Sequence, residues 1–238
     1  MSLNLQNRVV LVTGAADGSG RAIALMFAAA GARVVVADRH QSSAQQVVDE
    51  ILETGGQAFA LGFDVTAEAQ VSAAIEFTVA AWSTVDILIN TASVPLIKPL
   101  QSFSYLEWRT IMAVHLDGAF LMTRACLPTM YAQNRGCIIY LGSEPSVEAA
   151  MFKAPYAAAM YGIMGLCRAV AKEGAEHGVR ANVIREPEVV RNVMLRANMK
   201  GGFTSERDIA EVALMFASHG SNALTGQSLI VSHGWCME

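Results

Sequence analysis

The strongest constraint on the fold is a regular alternation of short apolar runs with longer segments of helical periodicity. Segments such as 21–30 and 156–177 place apolar residues at i, i+3 and i+4. Parallel strands need crossover connections of this kind, and strands covered on both faces are almost wholly apolar. The pattern predicts an α/β fold, with a single Rossmann-type doubly wound parallel sheet of about seven strands and helices on both faces. The predicted strands are 9–12, 33–37, 58–62, 87–90, 137–141, 180–184 and 228–231.

Composition favours one large domain. No Pro/Gly/Ser-rich linker, repeat or charge block divides the 238 residues, so we expect a single domain over 1–238 without a separate substrate domain. Apolar residues make up 53% of the chain and charged residues 16%, which favours a large core and a buried subunit interface. A formal net charge of −4 without Lys/Arg clusters argues against nucleic acid or an anionic membrane as partner.

The apolar runs, the cysteines and the histidines indicate where the protein is located and whether it binds a metal. The longest apolar run, 22–30, is far shorter than the roughly 20 residues that span a bilayer, and no signal peptide is evident at the start. The four cysteines have no CxxC spacing, which predicts reduced thiols and a cytoplasmic protein. The histidines are scattered and match no metal-binding spacing, so no metal site is expected.

A glycine-rich loop, Thr-Gly-Ala-Ala-Asp-Gly-Ser-Gly at 13–20, joins the first strand to the first helix. Such a turn brings backbone close to a pyrophosphate and directs the helix N-terminus towards it. Taken alone, it is equally compatible with a plain strand-to-helix connection. The second strand ends at Asp38, whose carboxylate would accept the adenosine ribose hydroxyls and repel a 2′-phosphate, unless it is merely a solvated strand end.

The loop spacing Thr-Gly-x-x-x-Gly-x-Gly resembles that of the short-chain dehydrogenase/reductase family, and other landmarks follow in family order over about residues 8–235. Asp64-Val65 is similar to the adenine-binding pair, and the segment 90–93 stands where the family has Asn-Asn-Ala-Gly. Ser143 and Tyr156 match the catalytic serine and tyrosine in position and separation. The segments 182–184 and 224–229 resemble the sixth strand and the C-terminal signature.

This resemblance implies a bound nicotinamide dinucleotide. Asp38 indicates NAD in preference to NADP, and so does Asp17, which stands where NADP-preferring relatives often carry arginine. The residues expected to bind the cofactor are Thr13, Gly14, Asp17, Gly18, Ser19, Gly20, Asp38, Arg39, Asp64, Val65, Asn90 and Ala92.

The family chemistry depends on a lysine that this chain lacks. The resemblance implies that Tyr156 exchanges a proton with the substrate oxygen while Ser143 hydrogen-bonds the same oxygen. A lysine four residues after the tyrosine shares its helical face and lowers the phenol pKa from about 10. That position is Met160, which carries no charge and donates no hydrogen bond. Lys153, at the start of the same helix, is expected to point elsewhere.

Other family positions also differ. The asparagine that supports the proton relay is replaced by His115, which would either stand in for part of the lysine or pack as a neutral ring. Thr91 and Ser93 replace an asparagine and a glycine, and the sequence 185–188, Arg-Glu-Pro-Glu, replaces Pro-Gly. These glutamates would lie near the cofactor phosphates. About ten residues separate Met194 from Ser205, where we expect a longer helical lid over the substrate.

Two functions are compatible with this pattern. One is an NAD-dependent oxidoreductase that interconverts the alcohol and carbonyl of a small hydroxy or keto compound, with activity impaired by Met160 and His115. The other is a catalytically silent NAD-binding partner or regulatory subunit. By resemblance, the helices that begin near Trp108 and Tyr156 would form a homodimer or homotetramer, or a hetero-oligomer with an active relative.

Overall fold

One parallel sheet organises the chain, as the sequence predicts. The computed structural model describes residues 4–144, 152–187, 204–218 and 223–233. Within them the strand order is β3-β2-β1-β4-β5-β6-β7. Observed ends lie within three residues of the predicted ones. The strands are β1 Val9–Thr13, β2 Arg33–Asp38, β3 Gln57–Gly62, β4 Ile87–Asn90, β5 Gly136–Glu144, β6 Val179–Pro187 and β7 Ser228–Ile230.

Helices connect successive strands and cover both faces of the sheet. Two of them begin at serines that form capping boxes: Ser104 accepts from the backbone of Glu107, and Ser205 accepts from that of Asp208. The helices are α1 Gly18–Ala29, α2 Gln41–Glu53, α3 Glu68–Trp82, α4 Tyr105–Met112, α5 Gly118–Ala132, α6 Ala154–Gly174 and α7 Glu206–Ala217, with short 3₁₀ turns at Leu100–Ser102 and Ala175–His177.

The sheet divides the core into two apolar clusters. In β1, Val10 and Val12 face the cluster formed with α1, α2 and α7, whereas Leu11 faces the cluster formed with α3, α5 and α6. All three side chains are fully buried. Complete burial of each contributes about 1.5–3 kcal/mol, which explains why both faces of this strand are apolar.

The strand order reverses between β1 and β4, and this reversal opens a crevice at the carboxyl edge of the sheet. β1 pairs with β2 on one side and with β4 on the other, so the loops after β1 and β4 diverge at this point. Thr91, directly after β4, bridges them: its hydroxyl donates to the carbonyl of Thr13, and its amide donates to the Thr13 hydroxyl at 3.2 Å. Ligands of doubly wound sheets bind at such a reversal.

Helices α4 and α5 are joined without a break by a π-helical turn at Ala113–Asp117. Periodicity does not predict this turn, because the helical pattern assumes 3.6 residues per turn and single π-helical turns inside α-helices are rare. The joined helix, Tyr105–Ala132, is the one described helix long and apolar enough to cross a membrane by length and composition alone. It packs beside α3 and α6 in the helical layer, as a core helix does.

Candidate active site

The crevice holds a cavity of about 720 Å³ along the carboxyl edge of the sheet. The loop after β1, the end of β2, the segment after β3 and the loop after β4 form its wall. Of the residues predicted to bind cofactor, those that line this cavity are Thr13, Gly14, Asp17, Gly18, Ser19, Gly20, Asp38, Arg39, Asp64, Val65 and Ala92. Asn90 instead lines a small adjoining cavity, together with His115.

Two glycines of the loop are required by close backbone packing. Gly14 has φ +59°, and a β-carbon there would lie 2.9 Å from the backbone of Ala92. A β-carbon on Gly20 would lie 2.2 Å from the carbonyl oxygen of Gly14. The loop therefore folds tightly back on itself and leaves the first turn of α1 facing the cavity.

The opposite end of the cavity carries two carboxylates held by local hydrogen bonds. Asp38 accepts from the backbone N–H of His40 at 2.9 Å. Asp64, in the loop after β3, accepts from the amide of Thr66 at 2.8 Å and from its hydroxyl at 2.7 Å. The hydrogen bonds from Thr66 lower the pKa of Asp64, with a further contribution from the charge of Arg39. Local hydrogen bonds thus hold both carboxylates in place on the cavity wall.

A further carboxylate, that of Glu186 of β6, lies beside the first turn of α1. The Ser19 hydroxyl donates to its Oε2 at 3.2 Å. Burial raises the pKa of Glu186, the Ser19 hydrogen bond opposes this, and the charge of Glu206 raises the pKa further. Glu206 begins α7 and also lines the cavity. The sequence predicts that Glu186 lies near this site, at the end of β6. It does not predict that Glu206 lies there too, because only tertiary packing brings α7 against α1.

A neighbouring cavity of about 430 Å³ contains Tyr156, His115 and Lys153. Lys153, at the N-cap of α6, also lines this cavity, contrary to the expectation that it points elsewhere. Burial lowers the pKa of Lys153. A backbone hydrogen bond of 2.8 Å from Lys98 to Phe152 ties the two loops of the wall together. The apolar part of the wall comes from Val94, Pro95, Leu96, Ile97 and Leu141.

His115 lies in the π-helical turn and contacts Tyr156. The two ring centroids are 4.8 Å apart, with ring planes at 87°. Burial lowers the pKa of His115, although its hydrogen bond to Val94 opposes that effect. Its Nε2 lies 3.3 Å from the carbonyl oxygen of Val94, to which it donates in the Nε2–H tautomer. A neutral, packed ring is therefore the state that this environment favours.

Met160 lies one turn along α6 from Tyr156, but its side chain is part of the apolar core. It is 5% exposed and belongs to the cluster between the sheet and α6. A β-carbon built on Gly142 would lie 2.6 Å from its sulfur, so the thioether fills the space above that glycine. Gly142 in turn lines the cavity that contains Tyr156. At the position of the family lysine, the chain thus has an uncharged group buried behind the cavity wall.

The remaining predicted residues are only partly described. Ser143 lies in β5 and is the register partner of Glu186 in β6, but its side chain lies outside the described residues. Glu188 and Met194, with the shortened segment before Ser205, also lie outside them. Asn90 is buried at the end of β4, and among described residues its Nδ2 has no hydrogen-bond partner.

The parallel sheet, the glycine loop at its reversal and the adjoining tyrosine cavity together define a dinucleotide-dependent oxidoreductase architecture. A family model described as short chain dehydrogenase matches residues 8–200. The chain therefore belongs to the short-chain dehydrogenase/reductase family, whose members are oxidoreductases that generally bind a nicotinamide cofactor.

Relatives match over nearly the whole chain. It is 32% identical to the mitochondrial borneol dehydrogenase of Lavandula x intermedia, over 97% of this chain and 91% of that protein. It is 28% identical to the D-threitol dehydrogenase of Mycolicibacterium smegmatis, over 98% and 95%. Among solved structures, the hydroxysteroid dehydrogenase of Escherichia coli superimposes with a TM-score of 0.88 at 30% identity, covering 98% of each chain.

The residues fit the adenosine end of a nicotinamide dinucleotide. Asp38 and Asp64 offer anchored acceptors, and the cavity reaches the α1 N-terminus, where the first N–H groups lack intrahelical partners and could bind a diphosphate. The fit at the diphosphate depends on the charge of Glu186, because a second anion there would compete for the same helix terminus.

Proposed function

We propose that this protein is an NAD-binding short-chain oxidoreductase whose interconversion of alcohol and carbonyl is impaired. The observation that carries the proposal is the contrast between the two cavities. The dinucleotide cavity keeps its acidic adenosine end, whereas behind the Tyr156 cavity Met160 is buried in the core. A bound NAD would supply the hydride acceptor; the chain's own groups supply orientation and proton transfer.

The proposed roles follow from position. The Asp38 carboxylate would accept both hydroxyls of the adenosine ribose and repel a 2′-phosphate, which favours NAD over NADP. Arg39 and Asp64 would flank the adenine, with the backbone of Val65. Tyr156 would exchange the proton with the substrate oxygen, and Ser143 would hydrogen-bond that oxygen. Met160 places no charge on the helical face of Tyr156, where the family lysine would favour the phenolate, so we expect slow proton transfer.

The second candidate is a catalytically silent NAD-binding partner. It is favoured by the environment of His115, which lowers the pKa of the imidazole and so removes the charge that a lysine substitute needs. Under either candidate we propose one domain in the cytoplasm, acting on or sensing a small hydroxy or keto compound. Exposed aromatic and aliphatic side chains on α4, α5 and α6 support self-association, or association with an active relative: Tyr105, Leu106, Phe120 and Tyr161.

The experiment that tests the proposal is calorimetric titration of NAD, NADH and NADP into the purified protein, followed by turnover assays on a panel of alcohols and ketones. Binding of NAD with slow turnover is the expected result. Binding without turnover on any substrate would select the silent partner. Absence of NAD and NADH binding would overturn both candidates.

Replacing Asp38 by alanine should weaken NAD binding by about 1–2 kcal/mol, or roughly tenfold, because the ribose loses a charged acceptor. Asp38→Asn is the matched variant, since its amide oxygen still accepts from His40 N–H while the charge is lost. We expect Asp38→Asn to gain affinity for NADP relative to NAD. The measurement is the ratio of the two dissociation constants. An unchanged ratio in both variants would show that the ribose is held elsewhere.

A further inference from the structure

Glu186 is the one acidic side chain in the described part of the chain that lines both cavities. It comes from the end of β6, next to Ser143 in the sheet register. Its Oε2 accepts a hydrogen bond of 3.2 Å from the Ser19 hydroxyl, in the first turn of α1. Glu186 therefore binds the Ser19 hydroxyl, which belongs to the helix terminus that faces the dinucleotide cavity.

The charges around Glu186 are mostly negative on the dinucleotide side. Glu206 faces it from the start of α7, and Asp17 stands at the start of α1. Lys153 and His115 lie on the wall of the other cavity, and Arg185 precedes Glu186 in β6. Burial and the nearby Glu206 raise the pKa of Glu186, so less additional negative charge is needed to protonate it than an exposed carboxylate would require.

An arriving diphosphate would bring that additional charge. The free N–H groups of the first turn and the helix dipole attract one anion strongly, but two anions at one terminus repel each other. The Ser19 hydroxyl can donate its hydrogen bond either to Glu186 or to a phosphate oxygen. If Glu186 takes up a proton, its charge disappears, and the helix terminus and Ser19 become available to the diphosphate.

We propose that Glu186 couples the binding of a diphosphate-containing nucleotide to the uptake of one proton from solvent. The inference rests on the proposed function, because it concerns the same dinucleotide cavity. Protonation of the carboxylate is its only chemical step. Affinity for NAD then falls as the pH rises above the pKa of Glu186 in the free protein, by up to about tenfold per pH unit. The fall ends where the pH exceeds the pKa of Glu186 in the complex. Adenosine, which carries no phosphate, binds without this dependence.

The test is calorimetric titration of NAD, ADP-ribose and adenosine at about pH 6, 7 and 8, in two buffers that differ in ionisation enthalpy. The difference in heat between buffers gives the number of protons taken up. NAD and ADP-ribose are suitable probes because their diphosphates do not titrate in this range. For wild type we expect uptake to approach one proton per NAD where the pH lies between the pKa of Glu186 in the free protein and its pKa in the complex, and no uptake with adenosine.

Glu186→Gln should bind NAD with no proton uptake and with nearly the same affinity at each pH, about tenfold or more tighter than wild type at the highest pH. Glu211→Gln is the matched control: this exposed carboxylate lies on α7, pairs with Arg207 and lines neither cavity, so the variant should keep the uptake. Thermal unfolding checks that both variants are folded.

Two results would overturn the coupling and leave the NAD-binding proposal intact: binding of NAD by wild type without proton uptake, or uptake that persists in Glu186→Gln. If neither wild type nor Glu186→Gln binds NAD at any pH, the proposed function fails, and the coupling fails with it.

Discussion

Met160→Lys should raise kcat/KM for alcohol oxidation by about 10–100-fold, because each unit by which the ammonium lowers the pKa of the Tyr156 phenol gives about tenfold more phenolate. The new side chain would start one turn from Tyr156 on α6 and follow the path of the thioether past Gly142. Lysine extends one bond beyond the methionine methyl, which brings its ammonium towards the cavity lined by Tyr156. The measurement is kcat/KM as a function of pH, and we expect the rise in activity to move to lower pH.

Met160→Leu is the control for this gain, since it keeps an apolar side chain of similar volume and adds no charge. It should leave both activity and the pH profile unchanged. Burial makes the lysine variant less stable than wild type, so thermal unfolding must show that it is folded at the assay temperature. A folded Met160→Lys that binds NAD but gains no activity would contradict the assignment of the missing cation as the main defect. Attention would then move to His115 and Ser93.

The fold was predictable because the sheet is buried on both faces. A run such as Val34-Val35-Val36 alternates between two apolar clusters, so no position along it tolerates a polar side chain. Glycine positions were predictable for a related reason, since Gly14 and Gly20 lie against backbone that leaves no space for a β-carbon. These features are imposed by neighbours that the strand-and-helix alternation already implies.

The site was less predictable, because its electrostatics depend on contacts between distant segments. Glu206 meets the first turn of α1 only after α7 has packed on the sheet. Lys153 lines the Tyr156 cavity from the N-cap of α6, and its spacing from Tyr156 in the sequence does not specify this. The neutral state favoured for His115 follows from burial within a π-helical turn; from the sequence, a packed, neutral histidine was the simpler interpretation, and a charged one was left open.

Gly20→Ala should weaken NAD binding by about 2–3 kcal/mol, or roughly 30–150-fold, and should also lower the melting temperature. A β-carbon on Gly20 meets the carbonyl oxygen of Gly14 at 2.2 Å and the Thr91 hydroxyl at 2.7 Å. The first contact is with backbone, so the loop must move as a unit. That movement breaks the bridge from Thr91 to Thr13 and turns the first N–H groups of α1 away from a diphosphate. The dissociation constant for NAD measures the effect.

Gly165→Ala provides the matched control, because Gly165 is exposed in α6 and a β-carbon there meets nothing within 4 Å. The same substitution should leave NAD affinity unchanged and stabilise the helix by up to about 1 kcal/mol. The comparison separates the loop geometry from the general effect of adding a methyl group to a helical glycine. If Gly20→Ala bound NAD as wild type does, the tight loop would not be what presents the α1 terminus, and the diphosphate would have to bind elsewhere in the cavity.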